Sequence, residues 1–189
     1  LGKASALSTD QIDVENADRY GIEFVDENNN KQYPIILHNS PSGAIERILY
    51  VLLEKAAKDI KEGRKPQYPL WLAPTQIRVI PLKEEFNDFC ETLTDKISSN
   101  NIRVDIDDRN ESIGKRIREA EKEWIRYILV IGEKEVNSEN LSIRDRQTCD
   151  VKELPFDDFL KEINEQTKGK PFTGLNLSKH LSKRPPLMV

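Results

Sequence analysis

The sequence predicts an α/β protein in two parts. A partial antiparallel sheet followed by a long helix comes first, then a mixed α/β domain with helices on both faces of its sheet. Three observations carry this. Short alternating apolar runs separated by turn residues fill the first forty positions. A proline-broken stretch, Tyr68–Leu82, then interrupts the pattern. Beyond it, β-rich runs alternate with amphipathic helical ones, the signature of an α/β sheet. The expected division is residues 1–66, a linker at 67–75, and a second domain at 76–189.

In order, Ala6–Val14 and Ile22–Val25 alternate as strands, Asn28–Asn30 marks a turn, and Pro34–Leu37 continues as an apolar strand. Strands joined by tight turns pair antiparallel. Ser42 is placed as the N-cap of a helix in which Ile45, Ile48, Leu49, Leu52 and Ala56 recur at three and four residues, giving one apolar face. Pro66, Pro69 and Pro74 favour extended backbone, and Gln76–Leu82 is a strand rich in β-branched residues. Phe86, Phe89, Cys90, Leu93 and Ile97 share one helical face, which makes Cys90 a packing residue. Ile102–Ile106 is a second strand, and Ser112 caps a helix running to about Arg126. Tyr127–Gly132, YILVIG, is an unbroken apolar run of the kind buried on both faces of a sheet. Leu141–Arg146 is a further strand, and Phe156, Phe159, Leu160 and Ile163 mark a last helix opened by Pro155. Right-handed crossovers make the first three strands of this domain parallel.

Of the 189 residues 33% are charged and 37% hydrophobic. No apolar run approaches the roughly 20 residues of a membrane helix, and no signal-peptide pattern is present. Cys90 and Cys149 lie far apart without metal-ligand spacing, which fits a reducing, cytosolic setting. A net charge of -4 and a pI near 5.4 exclude a protein that coats nucleic acid indiscriminately. Any RNA contact must therefore be local. One local basic feature stands out. Ile113, Ile117, Ala120 and Trp124 form the buried face of the second helix, and Lys115, Arg118, Lys122 and Arg126 fall opposite as a basic stripe. The plain alternative is a solvated face with Lys115–Glu119 as an i,i+4 pair. The loop entering this helix, Asp107–Glu111, follows the end of a strand, where open α/β sheets place ligands. Its Asn, Arg and Glu side chains supply the donors and acceptors that read unpaired bases of an RNA loop. The tail from Thr167 carries Lys168, Lys170, Lys179, Lys183 and Arg184. It either packs back through Phe172, Leu175 and Leu177 or holds RNA by charge. His180 has no motif around it.

SGAIER (Ser42–Arg47) before an apolar helix, then PLWLAPTQIRVIPL (Pro69–Leu82), and the closing GKPFTGLNLSKHLSKRPPLMV form a combination with a known counterpart. The chain resembles, over nearly its whole length, class II aminoacyl-tRNA synthetases passing from their third signature motif into the anticodon-binding domain. Within that class it is most similar to threonyl-tRNA synthetases of archaeal type. The resemblance implies that the first part is the last segment of the class II antiparallel catalytic sheet. It implies that Arg47 is a catalytic residue binding ATP phosphate, a guanidinium being suited to grip oxyanions in two-pronged fashion. Gln11 would line the substrate pocket, although Thr9-Asp10-Gln11 carries an acid where the family has an apolar residue. His38 would be one of three zinc ligands, the other two lying upstream, around a metal that engages the amino and hydroxyl groups of threonine and so rejects valine. Asn110, Arg118, Glu135 and Arg144 would contact the anticodon.

The implied enzyme joins threonine to tRNA with ATP, in the cytoplasm, with threonine tRNA, threonine, ATP and zinc as its partners and no membrane. A homodimer is left open. The chain opens on Leu1, so it is expected to be a fragment whose first two motifs lie upstream. This portion is expected to hold neither ATP nor zinc stably and to be inactive alone. Its first third is expected to be poorly ordered, with an exposed sheet edge and apolar surface. From the residues alone two other readings stand: a non-catalytic RNA-binding accessory module derived from a synthetase tail, and a small-molecule-binding doubly wound domain.

Overall fold

Side-chain-made turns shape the first part of the chain, in a computed structural model that describes residues 6–185. Strand β1 (Thr9–Asp13) ends where the Asp13 carboxylate accepts hydrogen bonds from the backbone N–H of Glu15 (3.0 Å) and Asn16 (2.9 Å). These bonds hold the Asp13 carboxyl below its usual range. They also open a helix that the sequence did not announce, α1 (Asn16–Tyr20), which Gly21 closes in the left-handed conformation. Five residues with one buried side chain, Ala17, are too few to show a period. Strands β2 (Phe24–Val25) and β3 (Lys31–Gln32) form a hairpin. Asp26 accepts from the N–H groups of Asn28 and Asn30, and Asn29 takes a positive φ of 62°. The expected turn is here, but the strands around it are shorter than the alternation predicts.

Strand β4 (Ile36–Ser40) begins later than Pro34 and pairs antiparallel with β1, setting Gln11 opposite His38 and Ile12 opposite Leu37. Helix α2 (Ile45–Lys61) starts three residues past Ser42. The molecule divides into two compact units between Lys58 and Asp59. Among the described residues of the first, Ala17 and Ala56 are the only buried hydrophobic side chains.

The second unit is built on a sheet of five strands. After a single turn at Leu70–Leu72 come β5 (Ile77–Pro81), α3 (Asn87–Ser98), β6 (Val104–Ile106), α4 (Ile113–Lys122) and β7 (Tyr127–Ile131). There follow α5 (Glu133–Val136), β8 (Asn140–Asp145), β9 (Val151–Pro155) and α6 (Phe156–Thr167). The order is β6-β5-β7-β8-β9, with β6, β5 and β7 parallel as expected and the last two antiparallel. Strand β9 was not predicted. Its residues, VKELP, alternate between exposed and half-buried, as an edge strand does, and carry too few apolar side chains to register.

Strand alternation sorts the core. Ile77, Val79, Tyr127, Leu129 and Ile131 face α3 and α6, meeting Cys90, Leu93, Ile97, Phe159 and Ile163. Ile80 and Ile128 face the other way, under α4, with Ala120 and Ile125. Helices therefore cover both faces, which is what an all-apolar β7 requires. One ion pair is wholly inside: Arg78 and Asp105, side by side in the β5–β6 ladder, form two hydrogen bonds of 2.9 Å. Burial alone would weaken the charge on Arg78, but Asp105 and Glu123 outweigh it and hold the guanidinium charged.

Candidate nucleic-acid interface

The loop between β6 and α4 is pinned residue by residue. The Asp107 N–H donates to the Val79 carbonyl (2.9 Å), and its fully buried carboxylate takes Arg109 in a two-pronged pair of 2.8 and 2.7 Å. Arg109 reaches on to Glu119 (2.8 Å), and these hydrogen bonds keep it charged. Arg116 donates from below to the carbonyls of Asp107 and Pro81 (2.8 and 2.9 Å). Asp108 is held from the other side by the tail: the Ser182 N–H (2.9 Å), the Ser182 hydroxyl (2.6 Å) and His180 Nδ1 (3.1 Å). Burial opposes ionisation of Asp108, but the bonds from Ser182 outweigh it and hold its carboxyl below the ordinary range. The Ser112 hydroxyl caps α4, as predicted, by accepting from the Lys115 N–H. Asn110 is left exposed, and among the described residues its amide has no partner. A rigid loop thus presents one free donor–acceptor group at the end of a sheet strand.

The stripe on α4 is narrower than the spacing predicts. The helix ends at Lys122, so Arg126 is carried back into the fold. There it is buried against Asp145 (3.0 Å) and Gln67 (2.8 Å), and is no part of a basic surface. Lys115 pairs with Glu111 (2.5 Å), not with Glu119, which Arg109 occupies. Arg118 and Lys122 remain exposed, with no carboxylate partner among the described residues.

Glu135 is buried. Its carboxylate accepts from the Gly132 N–H (3.1 Å), closing the first turn of α5, and from the Ser142 hydroxyl (2.6 Å). In this conformation both of its oxygens are engaged inside the protein. Arg144 is half-buried on β8, across from Ile128 and Val151, in a depression it shares with Lys65 and Arg146.

The tail packs back, through a different anchor than predicted. Phe172 and Leu177 are exposed and Leu175 half-buried, whereas Leu181 is buried. Ile106 donates to the Lys179 carbonyl (2.9 Å), and Arg184 reaches Asp105 (2.9 Å). His180, to which the sequence assigned no role, sits between Glu91 (2.5 Å) and Asp108 (3.1 Å). No local motif marks it, because its partners lie 89 and 72 positions upstream in the sequence (180 − 91 and 180 − 108).

In the first unit, Gln11 and His38 face each other across the β1–β4 ladder and are exposed. Directly opposed residues share a face, so the two side chains belong to one surface. Arg47 stands in the first turn of α2 and donates to the Ala6 carbonyl (3.0 Å). Gly43, at φ 58°, lets the chain pass: a Cβ there would lie 2.9 Å from the Leu7 carbonyl oxygen and 3.4 Å from the Arg47 side chain. No group of three His, Cys, Asp or Glu side chains able to hold a metal occurs among the described residues. His38 is a single potential ligand, so these residues alone do not make a zinc site. None of the helices among the described residues is long and apolar enough to cross a membrane.

Comparison with known proteins fits this architecture. Residues 76–166 match the anticodon binding domain family. The chain is 81% identical over 189 residues to the threonine–tRNA ligase of Nitrosopumilus maritimus, covering 100% of this chain and 30% of that protein. It is 62% identical over 188 residues to the Cenarchaeum symbiosum threonine–tRNA ligase (100% and 31% covered), and 51% identical over 185 residues to that of Pyrococcus horikoshii (98% and 30%). It therefore spans about three-tenths of the length of the curated relatives it matches. Its fold resembles the RNA binding domain of threonyl-tRNA synthetase from Cryptosporidium parvum Iowa II, with a TM-score of 0.67 at 24% identity over 88% of this chain and 39% of that one. Residues 76–166 are thus similar to anticodon-binding domains, in a chain similar along its whole length to part of several threonine–tRNA ligases.

Proposed function

We propose that this chain is the anticodon-reading end of a cytoplasmic threonine–tRNA ligase, which attaches threonine to its tRNA at the expense of ATP. In this reading residues 1–66 are the last segment of the catalytic domain, 67–75 the linker, and 76–189 the recognition domain. The observation that carries it is the pinned Asp107–Glu111 loop, which leaves Asn110 as its free hydrogen-bonding group. A preorganised amide loses little entropy when it meets a base edge. Arg118 and Arg144 add charge for phosphate or a base. Glu135 takes part only if the RNA displaces Ser142 from its carboxylate; otherwise it acts by holding the α5 turn.

In the complete enzyme Arg47 would bind ATP phosphate, Gln11 would line the threonine pocket, and His38 would supply one zinc ligand. The shared face of Gln11 and His38 supports the last two. The uncovered apolar residues of the first unit we read as contacts for the rest of such an enzyme.

The test is affinity for threonine tRNA, and for the same tRNA with altered anticodon bases, at two salt concentrations. Discrimination between them that shrinks in Asn110→Ala supports base readout. Equal, salt-sensitive binding of all the tRNAs sinks it and leaves the accessory RNA-binding module.

A further inference from the structure

We propose that the cleft at the C-terminal end of α4 holds one unpaired RNA nucleotide, its base stacked on Trp124 and its phosphate held by Arg118, Lys122 and Lys65. The proposal rests on the RNA-recognition reading above and extends it to a nucleotide that Asn110 does not read. The cleft has a volume of about 390 Å³ and is walled by Lys65, Arg118, Glu121, Lys122, Trp124 and Arg146.

Its walls are unusual for this chain. The protein carries a net charge of -4, yet four of these six residues are basic and one is acidic. Glu121 is engaged only loosely, by Lys65 at 3.9 Å. Arg146 is fixed as part of the wall, donating to the carbonyls of Pro66 (2.8 Å) and Glu121 (2.6 Å). Arg118 and Lys122 have no carboxylate partner among the described residues, so their charges are uncompensated beside an aromatic ring.

The backbone supplies an independent observation. Helix α4 ends in a complete Schellman motif: the Ile125 N–H donates to the Ala120 carbonyl (3.1 Å) and the Trp124 N–H to the Glu121 carbonyl (3.2 Å). The residue at the left-handed position of that motif is ordinarily glycine. Here it is tryptophan, at φ 60°. A bulky side chain in that conformation is strained, and such strain concentrates where a side chain is needed for function. The indole is half-buried. Tyr68 packs on it with ring centroids 5.1 Å apart and does not line the cleft. An aromatic platform flanked by cations is how single-stranded nucleic acid is held without sequence readout. The cleft shares Lys65, Glu121 and Arg146 with the depression beside Arg144. An RNA strand contacting Arg144 and Arg118 would therefore pass over it.

The chain has two tryptophans, so Trp71→Phe leaves Trp124 as the sole indole. In that background the chain is titrated with an RNA hairpin presenting a threonine anticodon, with the same hairpin carrying altered anticodon bases, and with AMP alone. Both hairpins are expected to quench Trp124, and Trp124→Ala to weaken both about ten-fold. Trp124→Phe should restore most of that affinity. Lys122→Ala should lower the salt slope by about one.

Trp124→Gly relieves the backbone and serves as the folding control, with melting near that of the parent and hairpin affinity as low as in Trp124→Ala. Unquenched fluorescence, or undiminished affinity in both Trp124→Ala and Trp124→Gly, overturns the cleft. Anticodon discrimination lost in Asn110→Ala would then still stand by itself. The opposite pattern, quenching without discrimination between hairpins, removes the anticodon reading and keeps the nucleotide cleft. Quenching by AMP as tight as by the hairpins overturns the RNA assignment in favour of a free-nucleotide pocket.

Discussion

The two compact units draw on similar proportions of Ile, Leu and Val and do opposite things with them. In the second, Ile77, Val79 and Ile80 follow one another on β5 at 0% exposure. In the first, Ile12 and Leu37 are paired across a ladder and yet are 73% and 76% exposed. The helix pattern of α2 is as regular as that of α3, but Ile45 is 72% exposed whereas Ile97 is 0% exposed. Periodicity reports which face an element would bury; only a second layer buries it. The five-stranded sheet has α3 and α6 on one face and α4 on the other. The two-stranded ladders of the first unit have no such cover among the described residues, and an isolated two-stranded ladder is marginal in water.

Amide exchange should break or confirm this contrast with the largest effect. Amides of β5 and β7 are expected to exchange only through global unfolding, at about 5–15 kcal/mol. Those of β1 to β4 are expected to exchange through local opening with little protection. Strong protection of β1 and β4 in this chain would mean that the first unit is stabilised by contacts absent from the picture above. The thiols offer the same measurement by another route. Cys90 is 0% exposed and burial pushes its pKa up to about 12, so little thiolate forms near neutral pH. Alkylation is expected at exposed Cys149 first, and at Cys90 only in denaturant.

Substitution sharpens the comparison. Phe159 is fully buried and meets Tyr127 edge-on at 5.2 Å. Phe159→Ala should cost about 3–5 kcal/mol in denaturant unfolding. Asp105→Ala should cost about 3 kcal/mol, because it leaves the buried Arg78 with only the half-exposed Glu123 (2.8 Å) as counter-charge. Ile12→Ala, on the uncovered ladder, should stay within about 0.5 kcal/mol. Equal losses at Phe159 and Ile12 would erase the distinction.

Much of the second unit was legible in the sequence because its signals are strong and local. YILVIG has no polar residue to misplace, Ser112 caps where a capping residue should, and the crossover rule fixes three strands as parallel. What was not legible depends on partners distant in sequence. Arg126 has the spacing of a stripe residue, but the helix unwinds at Trp124, where nothing in KEWIRY signals a left-handed residue. Glu135 looks like a surface acid in GEKE, and only the approach of Ser142 makes it an internal acceptor. His180 and Ser182 close on Asp108 across 72 and 74 positions. Of the candidate site, the loop and helix could be read, and the clamp that stiffens the loop could not.

That clamp gives the smallest effect. Ser182→Ala removes the hydroxyl bond to Asp108 on a partly exposed surface and should cost roughly 1 kcal/mol. The pH dependence has a definite sign. The folded-state pKa of Asp108 lies below its ordinary value, so the stabilisation it reports is present above the unfolded carboxylate pKa of about 3.9. It is lost as pH falls through the folded value. His180 faces Glu91 as well as Asp108, and Lys179 faces Glu91 and Asp95, so ion pairs with three carboxylates surround one short segment. Cleavage of the tail by a protease specific for lysine is therefore expected to be slow near neutral pH. After a brief exposure below about pH 4 it should rise sooner than cleavage within β5–β7. In Ser182→Ala the onset should move to higher pH, since the carboxyl loses the hydroxyl bond, one of those that keep its pKa low, while the backbone N–H bond stays. An onset unchanged by Ser182→Ala would show that the Ser182 hydroxyl adds nothing to the other contacts that hold the tail. The loop carrying Asn110 would then owe none of its rigidity to that hydroxyl.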